Sequence, residues 1–197
     1  MARVSQTEMA VLAALSVQPM TGYALRDSIR DVLGHFWSES FGQIYPTLAT
    51  LHRDGLLERR DGDRPGSSTY ALTPTGHERL MTLLRQPDTP AAPRNGLMLR
   101  LFFGHTLGPE ACRTLIQQAR AGAQQQLLAY RAIRAELAAE DQYAEHRPYW
   151  LLTVSAGEHT SRATIAWADE ALAALNDISA NALASSPVTL TGEHPPV

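Results

Sequence analysis

The stretch Ser38–Leu57, SESFGQIYPTLATLHRDGLL, decides the fold that the sequence predicts. Its apolar residues recur with the spacing of one face of an α-helix, at Ile44, Leu48 and Leu51. The helix is predicted at Phe41–Asp54, and Gly55 ends it because glycine readily adopts the left-handed conformation that closes a helix. The other faces of this helix carry mainly polar residues, so that a scaffold can hold the apolar face while the polar face stays open to solvent.

A β-hairpin follows this helix directly. Its strands are predicted at Leu56–Arg60 and Ser68–Leu72, with a turn rich in glycine, proline and aspartate between them. Two helices before the stretch and one after it complete the unit, at residues 5–18, 21–33 and 74–85. A helix that leads into a hairpin of this size is the core of a winged helix. The predicted fold class is mainly α, with an N-terminal winged helix-turn-helix of three helices and a two-stranded wing.

Threonine and proline residues mark the starts of two of these helices. Thr21 is the predicted N-cap of the second helix, because a threonine hydroxyl can accept a hydrogen bond from a free backbone N–H of the first turn. Thr73 is the predicted cap of the fourth helix, and Pro74 fits its first helical position. The inner face of the second helix is predicted to contain Tyr23, Leu25 and Ile29.

The second half of the chain has a different pattern. Residues 86–96, QPDTPAAPRNG, contain three prolines and no apolar period, which indicates a domain boundary. Long apolar stripes then predict helices at 97–103, 109–137 and 147–182. Neither long helix is predicted to find a same-chain partner that covers its stripe, because small segments have thin cores. The pair is therefore predicted to be a dimerisation arm.

The predicted domains are a winged-helix domain at 1–86, a linker at 87–96, a helical dimerisation and possible effector domain at 97–184, and a disordered tail at 185–197. The predicted dimer contacts are Leu115, Leu127, Tyr130, Ile133, Trp150, Trp167 and Leu172.

The composition predicts a cytoplasmic protein that is not an enzyme. No apolar run approaches the roughly 18–20 residues that a membrane span requires, and the N-terminus lacks the apolar segment of a signal peptide. The single Cys112 excludes an intramolecular disulfide and a multi-cysteine zinc site. The seven histidines form no HxxxH or HxH pair, and the sequence contains no phosphate loop, nucleophile elbow or dinucleotide fingerprint. We therefore expect no catalytic residues, no cofactor, no metal site and no membrane partner.

The charge pattern is only weakly unfavourable for nucleic-acid binding. The net charge is −3, but residues 1–86 carry nine arginines and nine acidic residues, so that the excess acid lies in residues 87–197. Lysine is absent, and all 17 basic residues are arginine, which suits bidentate contacts to phosphate and guanine. GC-rich coding DNA is an alternative cause of this composition. A neutral domain can still bind DNA if its basic residues lie on one face.

The polar face of the predicted third helix offers groups that recognise DNA. Gln43 can pair with adenine, Thr47 can contact a thymine methyl group, and Tyr45 can donate its hydroxyl to a phosphate. The candidate recognition residues are Ser40, Gln43, Tyr45, Pro46, Thr47 and Thr50, and the candidate wing residues are Arg59, Arg60, Arg64 and Ser67. The alternative is that these residues form only a solvated face with ordinary surface charge.

Four runs of residues in the first half resemble the PadR family of bacterial transcriptional regulators. These runs are Thr21–Leu25 (TGYAL), Gly42–Leu48 (GQIYPTL), Asp54–Leu56 (DGL) and Tyr70–Gly76 (YALTPTG). The second half, with Leu101-Phe102-Phe103-Gly104 and Trp167, resembles more loosely the branch of that family whose long C-terminal helices form the dimer.

The resemblance implies a homodimer that binds a pseudo-palindromic operator in double-stranded DNA, usually as a repressor. It implies a recognition role for Gln43, Tyr45, Pro46 and Thr47, and a wing role for residues 58–70. Relatives respond to phenolic acids or hydrophobic drugs, which implies a small aromatic or hydrophobic effector. The aromatic residues available for it are Tyr23, Phe36, Trp37, Phe102, Phe103, Tyr149, Trp150 and Trp167. The alternatives are that these aromatic residues serve only core and dimer packing, that the winged helix binds proteins, and that the regulator is an activator.

Overall fold

The computed structural model describes residues 6–30, 34, 37, 41–62, 67–87, 95–139 and 142–184. The chain divides into two compact units, Met1–Ala91 and Ala92–Val197. Several predictions lie outside the described residues. They concern Phe36, the candidate DNA contacts Ser40 and Arg64, most of the linker, and the whole tail at 185–197.

The N-terminal unit has the predicted order of helices and strands, with one addition. Its elements are α1 (Gln6–Val17), β1 (Met20–Thr21), α2 (Gly22–Ser28), a 3-10 turn (Phe41–Gln43), α3 (Ile44–Arg53), β2 (Leu57–Arg60), β3 (Thr69–Leu72) and α4 (Pro74–Leu84). The addition is β1, which makes the sheet three-stranded and antiparallel in the order β1-β3-β2. Its two residues are too few to show the alternation that predicts a strand.

The core of the N-terminal unit lies between α1, α2, α3, α4 and the sheet. Its buried members are Val11, Leu12, Leu15, Met20, Leu25, Ile29, Ile44, Leu48, Leu51, Leu57, Leu80 and Leu83. The predicted inner face of α3 is confirmed, because Ile44, Leu48 and Leu51 are all buried. The prediction that Tyr23 faces inward is wrong, since its side chain is 60% exposed. Tyr23 lies two residues before the fully buried Leu25, and residues with that separation do not share a helix face.

The predicted helix caps are confirmed. The Ala24 amide donates to the Thr21 hydroxyl over 3.2 Å, and the Gly76 amide donates to the Thr73 hydroxyl over 3.0 Å. The Thr73 hydroxyl in turn donates to the carbonyl of Gly55 over 2.9 Å. Thr73 therefore fixes the start of α4 to the turn that follows α3.

The C-terminal unit is a long helical hairpin preceded by two short helices. The short helices are α5 (Gly96–Phe102) and α6 (Gly104–Leu107), and the long helices are α7 (Pro109–Ala139) and α8 (Arg147–Ala184). None of the described helices is both long and apolar enough to cross a membrane.

The prediction that the long helices lack same-chain partners is wrong, because α7 and α8 pack against each other. Buried residues run along their contact, at Cys112, Ile116, Ala123 and Tyr130 of α7 and at Val154, Ser161 and Ala168 of α8. The ring of Tyr130 lies directly on Gly157, where a Cβ atom would overlap it. Small residues on α8 therefore let the two helices approach closely, and the short connection between them makes the second helix the partner of the first.

A charged cluster lies on the same contact. Glu158, with 8% of its side chain exposed, accepts hydrogen bonds from Arg134 over 2.9 Å and from Arg162 over 3.0 Å. The hydrogen bond from Arg134 is the main cause that holds the pKa of Glu158 below its usual value, and Arg162 adds to it. Arg120 and Asp169 form a second ion pair between the two helices at 2.6 Å.

Candidate nucleic-acid interface

Helix α3 presents a polar surface on the side opposite its buried residues. Gln43, Tyr45, Pro46 and Thr50 are exposed, and Thr47 is half-buried. The structure thus places five of the six candidate recognition residues on or beside one solvent-facing surface, and the sixth, Ser40, lies outside the described residues.

The helical turn separates these residues into a centre and two flanks. At about 100° per residue, Pro46 and Thr50 point away from the core, whereas Tyr45 and Thr47 lie on opposite flanks. Two further exposed residues share the outward face, Ala49 and Arg53. Neither is among the candidate DNA contacts, although the period that identifies the buried face also identifies the outward one. Arg53 adds a cation to this surface, and its Nε lies 3.2 Å from Asp54.

The position of Tyr45 depends on a glycine in α2. A Cβ atom at the buried Gly22 would lie 2.9 Å from Cε1 of Tyr45, so the tyrosine ring rests on the backbone of α2. The ring remains 52% exposed. Tyr45 is therefore held against the scaffold while part of its ring stays accessible. Tyr23 follows Gly22 in α2, and the guanidinium of Arg26 lies 4.6 Å from the centre of its ring.

Short-range hydrogen bonds join α3 to the wing, which we define as β2, β3 and the residues between them. The Leu56 amide donates to the carbonyl of Leu51 over 2.9 Å, and Nδ1 of His52 lies 3.0 Å from the carbonyl oxygen of Leu57. Gly55 has a φ of 73°, which favours glycine at this tight turn. The helix and the wing are thus positioned relative to each other by their own connection.

The two described wing arginines point to opposite faces of the hairpin. Successive residues of a strand alternate between faces, so Arg59 shares a face with Leu57, and Arg60 shares the other with Glu58. Each arginine has an acidic partner on its own face. The distance from Arg59 Nη2 to Asp61 Oδ1 is 2.9 Å, and that from Arg60 Nη2 to Glu58 Oε2 is 3.8 Å. The described part of the wing therefore carries balanced charge.

Asp61 is anchored across the hairpin. The Ser68 hydroxyl donates to its Oδ1 over 2.9 Å. This hydrogen bond, followed by the positive charge of Arg59, lowers the pKa of Asp61. Of the other candidate wing residues, Ser67 is half-buried, and Arg64 lies outside the described residues.

The predicted dimer contacts are all at least partly covered within the single chain. Tyr130 is buried between α7 and α8, and the remaining six are half-buried, namely Leu115, Leu127, Ile133, Trp150, Trp167 and Leu172. The large apolar side chains that stay exposed lie mostly elsewhere. Phe102 is 83% exposed and Phe103 is 58% exposed, and the same two short helices expose Met98, Leu99 and Leu107.

Some of the described aromatic residues considered for an effector contact other aromatic side chains, as Phe102 and Phe103 do edge to face with 5.2 Å between ring centres. Trp37 packs against the N-terminal core. In the C-terminal unit, Trp150 stacks with His146 at 5.5 Å and contacts Tyr143 at 5.3 Å between ring centres. Among the described residues, no group of three or more His, Cys, Asp or Glu side chains is placed to hold a metal ion.

Comparison with known families divides the chain in the same place as its fold. Residues 11–82 match the Transcriptional regulator PadR-like family, and residues 93–176 match the family described as Virulence activator alpha C-term. Residues 11–82 thus contain a PadR-like domain, the domain of a family of transcriptional regulators. The two matched regions together cover most of the length of the chain.

Two curated transcriptional regulators align with the chain. The Negative transcriptional regulator PadR of Bacillus subtilis (strain 168) is 31% identical over 98 residues, which are 48% of this chain and 54% of that protein. The Probable transcriptional regulator Rv1176c of Mycobacterium tuberculosis is 25% identical over 185 residues, which are 85% of this chain and 96% of that protein. The alignment thus spans about half the length of the Bacillus relative and nearly all of the Mycobacterium relative.

Solved structures share the fold of both units. Bacillus subtilis PadR in complex with operator DNA gives a TM-score of 0.75 at 22% identity, covering 87% of this chain and 98% of that chain. The same Bacillus protein in complex with p-coumaric acid gives 0.72 at 22% identity, covering 86% and 98%. The Vibrio cholerae virulence activator AphA gives 0.70 at 24% identity, covering 88% and 99%. A winged helix followed by long C-terminal helices is therefore common to these proteins.

Proposed function

We propose that the protein is a cytoplasmic, homodimeric, DNA-binding transcriptional repressor without catalytic activity of its own. The observation that carries this proposal is the geometry of α3. Its apolar residues are buried in the scaffold, and its solvent-facing side presents Pro46 and Thr50, with Tyr45 on one flank and Gln43 in the turn just before the helix. The operator DNA in the complex of the Bacillus relative supports double-stranded DNA as the partner.

The arrangement suggests a role for each part of the surface. Helix α3 enters the major groove, where the amide of Gln43 pairs with a base edge and the hydroxyl of Tyr45 donates to a phosphate. Because Tyr45 and Thr47 lie on opposite flanks, they contact different sides of the groove. The wing lies along the backbone or in the adjacent minor groove. Two copies of α3, one from each protomer, read half-sites about 34–36 Å apart, one turn of the duplex.

Dimerisation follows from the C-terminal unit. A two-helix hairpin forms a single layer, and a helical domain becomes stable when such a layer packs against another. The exposed side chains of Leu99, Phe102, Phe103 and Leu107 offer an apolar surface for a second copy. We therefore assign the main apolar contact of the dimer to α5 and α6, with the half-buried residues of α7 and α8 beside it.

A small aromatic or hydrophobic effector would act by moving the C-terminal helices. The complex of the Bacillus relative with p-coumaric acid supports an effector of this class. A ligand that binds one arrangement of the dimer better than another shifts the population toward it, and a changed distance between the two copies of α3 releases the operator. Distances between spin labels on the two wings test this mechanism. Unchanged distances in a dimer that has lost the operator on adding ligand would contradict it.

The direct test of the proposed function is binding-site selection from genomic fragments, followed by a mobility-shift titration at fixed salt. The wild-type protein is expected to retain fragments that share a palindrome. Tyr45→Ala is expected to weaken binding about tenfold, which corresponds to about 1.4 kcal/mol, while the dimer persists. Tyr149→Ala changes an exposed tyrosine of α8 and serves as the matched control. Failure to retain any fragment would instead favour a winged helix that contacts proteins.

An activator is the second candidate. It is favoured by the match of residues 93–176 to the Virulence activator alpha C-term family. Footprinting at a selected site distinguishes the two functions. A footprint that overlaps the promoter and lowers transcription in vitro supports the repressor, whereas a footprint upstream of the promoter that raises transcription supports the activator.

A further inference from the structure

The wing contains four consecutive charged residues whose pairing follows from the strand geometry. In Glu58-Arg59-Arg60-Asp61, alternation places Arg59 and Asp61 on one face and Glu58 and Arg60 on the other. The two pairs differ in their contacts. Arg59 reaches Oδ1 of Asp61 through both Nε and Nη2, at 2.9 Å each, whereas the Arg60–Glu58 pair is open to 3.8 Å. The Arg59–Asp61 pair is thus the tighter of the two.

Asp61 is also fixed from the opposite strand. Thr69 lies opposite Arg60 in the register of β2 and β3, so the next position along the hairpin sets Ser68 opposite Asp61. The Ser68 hydroxyl donates to the same oxygen that Arg59 contacts, over 2.9 Å. The hydrogen bond from Ser68 and the positive charge of Arg59 both lower the pKa of Asp61.

The pair has little to contribute to folding. The side chain of Arg59 is 45% exposed and that of Asp61 is 78% exposed, and ion pairs that solvent screens in this way contribute little to stability. The ion pair matters more for the attraction between the wing and the phosphates of DNA. A wing arginine attracts any DNA through the phosphates, whatever the base sequence. An anchored carboxylate beside that arginine opposes the attraction.

We propose that Asp61 is a specificity-setting residue, which holds Arg59 on the wing and weakens the sequence-independent attraction of the wing to phosphates. The inference rests on the proposed DNA-binding function. Arg59 can contact a phosphate only by leaving or sharing its contacts with Asp61, so Arg59 adds little affinity for arbitrary DNA. Discrimination between sequences is then left to the base contacts of α3.

Asp61→Asn is the variant that isolates the charge, because the amide oxygen can still accept the hydrogen bond from Ser68. Glu58→Gln is its matched control, since it removes the same charge from the opposite face of the same strand. Ser68→Ala removes the anchor and keeps the charge. Far-UV circular dichroism and thermal unfolding confirm that each purified full-length variant is folded.

Fluorescence anisotropy measures the binding of each variant to a selected operator and to a random-sequence duplex, at several salt concentrations. Asp61→Asn is expected to bind the random duplex about three- to tenfold more tightly than wild type at 0.1 M salt. Because each additional phosphate contact adds about 0.9 to the slope of log K against log salt, the slope should steepen by about one. The ratio of operator to random affinity should fall. Glu58→Gln and Ser68→Ala should change the random affinity less.

Two results would overturn the inference while the proposed function stands. One is a wild-type protein that binds its operator together with an Asp61→Asn slope equal to that of wild type. The other is an equal gain for Glu58→Gln, which would assign the effect to net charge and not to Asp61. If wild type and all variants bind neither duplex, the proposed function fails and the inference fails with it.

Discussion

The two units of the chain leave opposite kinds of surface exposed. The N-terminal unit buries most of its large apolar side chains in one core and presents a polar helix face, with Tyr45 exposed at its flank. The C-terminal unit buries Ile116 and Tyr130 together with small and polar groups between its long helices, and leaves Phe102 and Phe103 in solvent. The chemistry of the side chains that a unit leaves exposed indicates the kind of surface that it can bind. A polar face fits a hydrated groove of DNA, and an apolar face fits another protein surface.

The largest expected effect is a loss of stability in the N-terminal core. Leu48→Ala is expected to destabilise the N-terminal unit by about 2–5 kcal/mol, because it removes a fully buried side chain and leaves a cavity. Urea unfolding followed by circular dichroism measures the loss. Leu128→Ala, at an exposed position of α7, is the control and should change stability by less than about 0.5 kcal/mol. Equal losses for the two variants would contradict the assignment of Leu48 to the core.

The exposed apolar surface is tested by Phe102→Ser combined with Phe103→Ser. The double variant is expected to raise the dimer dissociation constant about a hundredfold, since clustered interface aromatics often contribute about 2 kcal/mol or more. Sedimentation equilibrium measures the change. The fold should persist, because both side chains are already exposed in the single chain.

Tyr23→Ser is the control for the loss of an exposed aromatic side chain in the other unit. An unchanged dissociation constant in the double variant would place the dimer contact away from α5 and α6.

A pair of glycine substitutions tests how closely α7 and α8 approach. Gly157→Ala is expected to destabilise the hairpin by about 1–3 kcal/mol, because the new methyl group would overlap the ring of Tyr130. Gly122→Ala meets nothing within 4 Å and should stabilise α7 by about 0.5–1 kcal/mol, because alanine favours a helix. Thermal unfolding of the two variants should therefore shift in opposite directions. Shifts of the same sign would refute the close contact.

The smallest expected effect is a pH dependence of the hairpin. The folded protein holds the pKa of Glu158 below the value of the unfolded chain. The stabilisation by Glu158 is therefore present above the unfolded pKa of about 4.5 and is lost as the pH falls through the folded value.

Arg134→Ala should lower the free energy of unfolding at pH 7 and make less difference at pH 3. Arg131→Ala, at an exposed position one turn away, is the control. A deficit of Arg134→Ala that is as large at pH 3 as at pH 7 would exclude this linkage.

The sequence predicts most of the N-terminal unit because its signals are local. The spacing of Ile44, Leu48 and Leu51 identifies the buried face of α3, and Thr73 with Pro74 identifies the start of α4 to the residue. The aromatic character of Tyr23 predicts burial, but its position two residues before the buried Leu25 places it on another face of α2. The outward positions of Ala49 and Arg53 follow from the same period, and the arginine at position 53 is a residue type that suits phosphate contacts.

In the C-terminal unit, the sequence pattern predicts which helix faces are covered but not which chain covers them. The stripe through Tyr130 predicts that one face of α7 is covered, but a period does not state whether the covering surface comes from the same chain or from a second one. The answer depended on the small residues of α8, because Gly157 provides the space for the Tyr130 ring. The charge pairs of residues 58–61 follow from the sequence, since strand alternation alone separates Arg59 from Arg60.

The central position of β3 has a consequence for the kinetics of recognition. Because β3 is hydrogen-bonded to β1 on one side and to β2 on the other, the paired residues of the wing acquire their backbone order when the domain folds. Ordering a residue costs about 1–2 kcal/mol of conformational entropy. The strands of the wing have already lost this entropy before a ligand arrives. A collision in the right orientation can therefore become a complex without a slow folding step.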